Sequence, residues 1–237
     1  MLDAVYEYER IAEQLRSSIV SGEIRPEHRL PNEIDLAGSF GASRATVREA
    51  LRCLAAEGLI RTRKGMTGGS FVTSPSAAET SERLRLGLNL LSPSLSLEDF
   101  MEIRSFLEVP GSRMAASRRT EEEVAALTGT MPSGQAPGSD DEYYESNRDF
   151  HLVLIVMGHN PLLRVTAEPM FLVLQTCLDR TRLGHSFHTA VGRHHRAIAD
   201  AVGEQDCDLA AQLMAEHLEW LTPRYRRVWR GGARRSA

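Results

Sequence analysis

The chain has 237 residues, 42% of them hydrophobic and 25% charged, with a net charge of −4, so it is long enough for two domains that each bury a core. No apolar run approaches the roughly 20 residues that span a bilayer, and the acidic start lacks the basic-then-apolar pattern of a secretory leader. Three scattered cysteines, Cys53, Cys177 and Cys207, exclude a disulfide framework and a cysteine metal site. The expectation is a soluble, cytoplasmic protein with no membrane partner.

Ile11, Leu15 and Ile19 recur every four residues and predict an amphipathic helix over Val5–Ser21. Asn32 follows Pro31 and precedes Asp35 by three, a capping pattern for a short second helix that ends near Phe40, where Gly41 supplies a turn. Ser43 then caps a third helix that runs to about Glu57 and stops at Gly58. Val47, Ala50, Leu51 and Leu54 form its buried stripe, with Cys53 packed beside it, while Arg44, Arg48 and Arg52 share a different face. Leu59–Thr62 and Ser70–Thr73 read as two strands, and the turn between them carries Arg63, Lys64 and Gly65. From Arg44 to Lys64 six basic residues stand against two acidic ones in a chain that is acidic overall. Such a patch predicts local contact with phosphate rather than general adhesiveness. Three helices, an arginine-bearing third helix and a charged hairpin make residues 1–74 a winged helix-turn-helix, whose third helix suits the major groove of duplex DNA. The excess of arginine over lysine, 27 to 1, reads as compositional bias.

Residues 75–96 read as a linker and connecting helix, with Glu79–Leu91 helical up to the Ser92-Pro93-Ser94 turn. Leu97, Phe100, Ile103, Leu107 and Met114 resume helical spacing, and Pro110 predicts a kink or break. Thr120 caps a helix to about Leu127, and Gly129–Asp141, rich in Gly, Pro and Ser, predicts a mobile loop. Further helices are expected over Asp141–Gly158, Pro161–Leu183, Thr189–Gly203 and Asp206–Arg227. Nothing after the wing alternates like a strand, so residues 97–228 read as an all-α bundle and 229–237 as a basic tail. The fold class is therefore mainly α. The basic residues Arg224, Arg226, Arg227, Arg230, Arg234 and Arg235 read as a frayed, solvated terminus.

Seven of the eight histidines fall in this second half. Asn147 and His151, four apart, share a helix face. His195 and His217 lie on two helices that the turn near Gly203 can fold together. Two readings stay open on spacing alone: three imidazoles and an oxygen ligand around a divalent transition metal, or hydrogen-bonded core histidines. His194 points about 100° away from His195 on its helix. His185 and His188 flank an expected loop, either exposed to solvent or at a pocket mouth.

The string Leu30-Pro31-Asn32-Glu33, Leu36-Ala37 and Ser43-Arg44-Ala45-Thr46-Val47-Arg48-Glu49-Ala50-Leu51 resembles the DNA-binding domain of the GntR family of bacterial transcription regulators. That resemblance implies base contacts from Arg44 and Arg48, phosphate contacts near Ser43 and Thr46, and a wing tip in the minor groove. Ile34 replaces a commoner polar residue and removes one contact, and His28 replaces a usual turn glycine, which loosens the loop before Leu30. Arg104 to Glu108, Asn147 to His151, Asn160-Pro161-Leu162-Leu163, His195 to Ala201 and Ala210 to His217 resemble the FCD ligand-binding domain of the FadR-type subgroup. The resemblance implies a metal held by Asn147, His151, His195 and His217, zinc first with nickel or manganese as alternates, and Arg104 anchoring a small organic-acid effector beside it. Asparagine stands where aspartate is commoner, which lowers affinity for a cation. A homodimer on a twofold operator, with half-sites about 10 bp apart and repression relieved by a metabolite, completes the expectation. The alternatives are a metal-free effector-sensing regulator of the same family and, more remotely, a metalloenzyme built on the histidines, for which Glu216 is the nearest base but points away.

Overall fold

The computed structural model describes residues 6–65, 68–131 and 140–231, and it divides into two compact units, Met1–Ser76 and Ala77–Ala237. In the first unit α1 spans Glu7–Val20, α2 Glu33–Phe40 and α3 Arg44–Ala56, followed by β1 (Ile60–Arg63) and β2 (Gly69–Val72). The strands pair antiparallel, from Ile60 opposite Val72 to Arg63 opposite Gly69. Local chemistry sets the helix ends. Asn32 Oδ1 accepts from the backbone N–H groups of Ile34 and Asp35, Gly41 adopts a left-handed φ of 64°, and Ser43 Oγ accepts from Thr46 N–H. Ile11, Leu36, Val47, Leu54, Ile60 and Val72 close one small core, each full burial of such a side chain stabilising by about 1.5–3 kcal/mol.

The segment before Leu30, with His28 in it, is held through its backbone. Glu27 N–H donates to Val72 O, Val72 N–H to His28 O, and Leu30 N–H to Ser70 O, at 2.8–3.0 Å. Glu27 takes the left-handed conformation, φ 63°, that a turn there requires. Met66 and Thr67 at the wing tip, like Arg234 and Arg235 of the tail and most of the expected Gly129–Asp141 loop, lie outside the described residues.

The second unit is helical: α4 (Ala77–Leu91), a 3-10 turn at Ser92–Ser94, α5 (Leu97–Arg118), α6 (Glu121–Gly129), α7 (Asp140–Met157), α8 (Pro161–Thr176), α9 (His185–Gly203) and α10 (Cys207–Arg226). The long helix α5 packs against α7, α9 and α10, and α4 lies along α8, where Ser81 Oγ donates to Val165 O at 3.3 Å. Among the described residues no helix is long and apolar enough to cross a membrane.

Several sequence expectations need correcting. Of the kink or break expected at Pro110, the break does not occur: helix α5 continues past it, and the next residue is packed closely, a Cβ on Gly111 standing 2.8 Å from Ile155 Cδ1 of α7. Helix α8 stops at Thr176 rather than Leu183, since Leu178 pairs with Trp229 as an antiparallel bridge. Asp179 N–H donates to Val228 O at 2.6 Å and Arg230 N–H to Cys177 O at 2.7 Å. That bridge also ties down the start of the expected basic tail. Arg224 and Arg226 belong to α10, Arg226 pairs with Glu98 at 2.7 Å, and Arg230 with Asp179 at 2.6 Å. Helix α9 begins at His185, four residues early. His188 is buried on it, stacked 3.7 Å from the Tyr143 ring, so it is not the solvent-exposed loop residue expected.

Candidate functional site

In the first unit Arg44, Arg48 and Arg52 lie exposed along α3, with side-chain exposures of 60, 49 and 70%. Arg48 is already oriented: its Nε and Nη2 donate to the Glu33 carboxylate at 3.1 and 2.8 Å, and Arg44 Nη2 stands 3.9 Å from the same carboxylate. Arg48 holds the Glu33 carboxyl below its ordinary pKa. Ser43 and Thr46 are joined through their hydroxyls at 2.8 Å at the start of α3. On the hairpin Arg63 lies over the Phe71 ring at 4.8 Å and 3.6 Å from Glu27, Lys64 is exposed, and Gly65 has a φ of 110°. The surface can therefore offer guanidinium forks to base edges and cations to phosphates.

The second unit centres on a buried polar cluster. His151 from α7, His195 from α9 and His217 from α10 are each at most 4% exposed, and one potential ligand nitrogen from each lies within 4.8 Å of the others. Nε2 of His195 and Nε2 of His217 are buried with no hydrogen-bond partner. Burial pushes the pKa of all three imidazoles down, those of His195 and His217 well down, so they are neutral, the form that coordinates a metal. Packing fixes the rings: His195 stacks on Phe150 at 3.9 Å, and His194 Nδ1 approaches His217 Nδ1 at 3.3 Å. Asn147 lies half-buried on α7, one turn before His151.

Arg104 and Glu108 complete the cluster from α5. Arg104 Nε donates to Glu108 Oε1 at 2.5 Å and Nη2 to Oε2 at 3.3 Å, with both residues fully enclosed. Burial pushes the Glu108 carboxyl up, but Arg104 and His151 outweigh it and hold it at about 2. His151 Nδ1 stands 2.6 Å from Glu108 Oε2, close but not aligned as a hydrogen bond. Arg104 Nη2 is also 3.4 Å from His151 Nε2. The expected effector anchor is thus already neutralised by an internal carboxylate, so Arg104, Glu108 and three neutral histidines sum to zero charge. Sequence reasoning gave Glu108 no role, although its position four residues after Arg104 places both on one helix face. Glu33 was likewise overlooked. Its pairing with Arg48 joins two helices and leaves no mark on either alone.

These residues fit a divalent transition metal: two orphaned imidazole nitrogens and a third histidine converge in the buried interior of the bundle, a donor set that suits zinc and its neighbours.

A winged helix-turn-helix with an arginine-bearing third helix, in one chain with a helical bundle around a buried polar cluster, defines a DNA-binding transcription regulator with an effector domain. Residues 7–72 match the family model of bacterial regulatory proteins, gntR family, and residues 99–219 match the FCD domain. The chain belongs to the gntR family of bacterial regulators, in the branch that carries an FCD domain. It is 28% identical over 234 residues to the HTH-type transcriptional repressor NanR of Klebsiella aerogenes, covering 97% of this chain and 88% of that one. With NanR of Salmonella arizonae the identity is 27% over 215 residues, 89% and 81% of the two chains. The fold is similar to that of Streptococcus agalactiae GntR, with a TM-score of 0.59 at 21% identity over 92% of this chain and 99% of that one.

Proposed function

We propose that this regulator is a cytoplasmic homodimeric repressor that binds a twofold duplex operator and is controlled by a small organic acid held beside a metal. The observation that carries this reading is the convergence of His151, His195 and His217, with two of their buried nitrogens unpartnered. Asn147, one turn from His151, would supply an amide oxygen as fourth ligand. A divalent ion bound there would supply a Lewis-acidic charge that attracts a carboxylate. All four ligands are neutral and the Arg104–Glu108 pair cancels itself, so the charge of the ion would face the effector undiminished. Arg104 orients the effector through the guanidinium donors that Glu108 leaves over. Repression accords with the names of the NanR relatives. Exposed Ile103 and Phe106 on α5 and Leu86 and Leu90 on α4 give the helical unit apolar surface for a second copy.

At the DNA, Arg44 and Arg48 read bases, Ser43, Thr46 and Arg52 meet phosphates, and Arg63, Lys64 and Gly65 carry the wing. The test is elemental analysis of untagged protein after dialysis against zinc, nickel or manganese. About one ion per chain, lost in His151→Ala and His195→Ala, is expected. No bound metal in the wild-type protein would remove the metal, and sedimentation at the mass of one chain would remove the homodimer. A metal-free regulator is the second reading. Arg104 Nη2, 3.4 Å from His151 Nε2, favours it as a cation placed where an ion would compete. That reading predicts an effector response that survives His195→Ala.

A further inference from the structure

A surface groove of about 470 Å³ lies between α9 and α10, apart from the residues assigned above. Ala190 and Arg193 line it from α9, Trp220, Arg224 and Arg227 from the end of α10, and Arg182 from the turn before α9. Spacings of three and four put each helical set on one face. Four arginines therefore line one depression of a chain whose net charge is −4. Among the described residues, Arg182, Arg193 and Arg227 have no carboxylate within ion-pair distance. The acid beside Arg182 is Asp179, already engaged by Arg230 at 2.6 Å and by the Thr181 hydroxyl at 2.8 Å.

Arg224 is held in place from within. Its Nη1 donates to Trp220 O at 2.7 Å and its Cζ lies 3.7 Å over the Trp220 ring, which leaves further N–H donors uncommitted. Two of the four cations complement the carbonyl end of α10. Arg182 and Arg193 come from other elements and have no such local reason to gather. Like charges crowded together are unfavourable until an anion joins them.

We propose that this groove binds a small polyanion of the phosphate type, a metabolite bearing a diphosphate or two phosphate groups. Guanidinium forks match phosphate oxygens in geometry, and four arginines lining one groove favour a ligand with several negative charges over a single carboxylate. The volume is that of a small-molecule site. The Trp220 ring is already flanked by Arg224, by Phe187 at 5.5 Å and by His194 at 4.9 Å, so recognition rests on the anion and not on a stacked base. The site needs neither the metal nor the organic acid.

The test is calorimetric titration of the full chain with inorganic pyrophosphate, inorganic phosphate and sulfate at one ionic strength set by chloride. Saturable pyrophosphate binding is expected, with phosphate and sulfate weaker by about tenfold or more. The double variant Arg193→Gln, Arg227→Gln, both at exposed positions, should bind pyrophosphate at least about tenfold more weakly while keeping its melting temperature and DNA affinity. Undiminished binding by the double variant overturns the proposal, as does equal affinity for sulfate and pyrophosphate. No saturable pyrophosphate binding by the wild type also overturns it. If that comes with weakened duplex binding in the double variant, the arginines belong to the DNA backbone instead.

Discussion

Each unit of this regulator contains a forked arginine–glutamate pair, and the two pairs live in opposite surroundings. Arg48 and Glu33 meet at the surface of the winged unit, with side-chain exposures of 49 and 31%. Arg104 and Glu108 meet inside the helical unit at 2 and 0%. The chemistry is the same, but water separates the consequences. At the surface the attraction is screened and contributes about 0–1 kcal/mol, so Arg48 can leave Glu33 for a base at little expense. In the interior neither partner can leave without stranding a charge. One pair is exposed and free to exchange partners, and the other is locked inside the bundle beside the histidines.

The largest test of this contrast is Glu108→Gln. It should destabilise the protein by about 3–5 kcal/mol in urea unfolding, because Arg104 is left buried without its counter-charge. Replacing both partners, as Arg104→Met with Glu108→Leu, should recover much of that loss; equal losses in the single and double variants would break the contrast. Next in size, Arg48→Ala should weaken binding to duplexes selected by the wild type by about 1–3 kcal/mol and relax preference at one base pair. Unchanged affinity and preference would remove Arg48 from the base-reading set. Glu33→Gln sharpens the comparison from the other side. Its effect on stability should stay under about 1 kcal/mol, while affinity for random duplexes rises as a negative charge leaves the DNA face. The smallest effect belongs to Lys64→Ala, which should flatten the dependence of log K on log salt by about 0.9 if it meets one phosphate. An altered sequence preference there would contradict its place on the wing.

Where a residue's task is local, its sequence declared it. Asn32, Gly41 and Ser43 act within three or four residues of themselves, and the winged fold follows from such caps together with the stripe Val47–Leu54. The histidine set was legible in part: spacing put Asn147 and His151 on one face and allowed His195 and His217 to join them, and the family resemblance favoured that reading over hydrogen-bonded core histidines. What stayed hidden depends on distant partners. The end of α8 at Thr176 is decided by residues 228–230, about fifty positions away. Helix α5 continues past Pro110, with α7 packed against the next residue, where the local rule alone allows a break. Arg104 was read as an open anchor because its neutralisation by Glu108 depends on both being buried, and burial is a property of the bundle.

Trp220 gives the helical unit a built-in optical reporter. Its indole lies beneath Arg224 on the side of the arginine groove and 4.9 Å from His194, which in turn approaches His217 of the buried cluster. The emission of one indole is thus exposed to charge changes at two places, the surface groove directly and the histidine centre through a single intervening ring. The chain has only two tryptophans. A Trp229→Phe variant would leave Trp220 as the sole emitter, so occupancy of either place could be followed as a spectral shift without any attached dye.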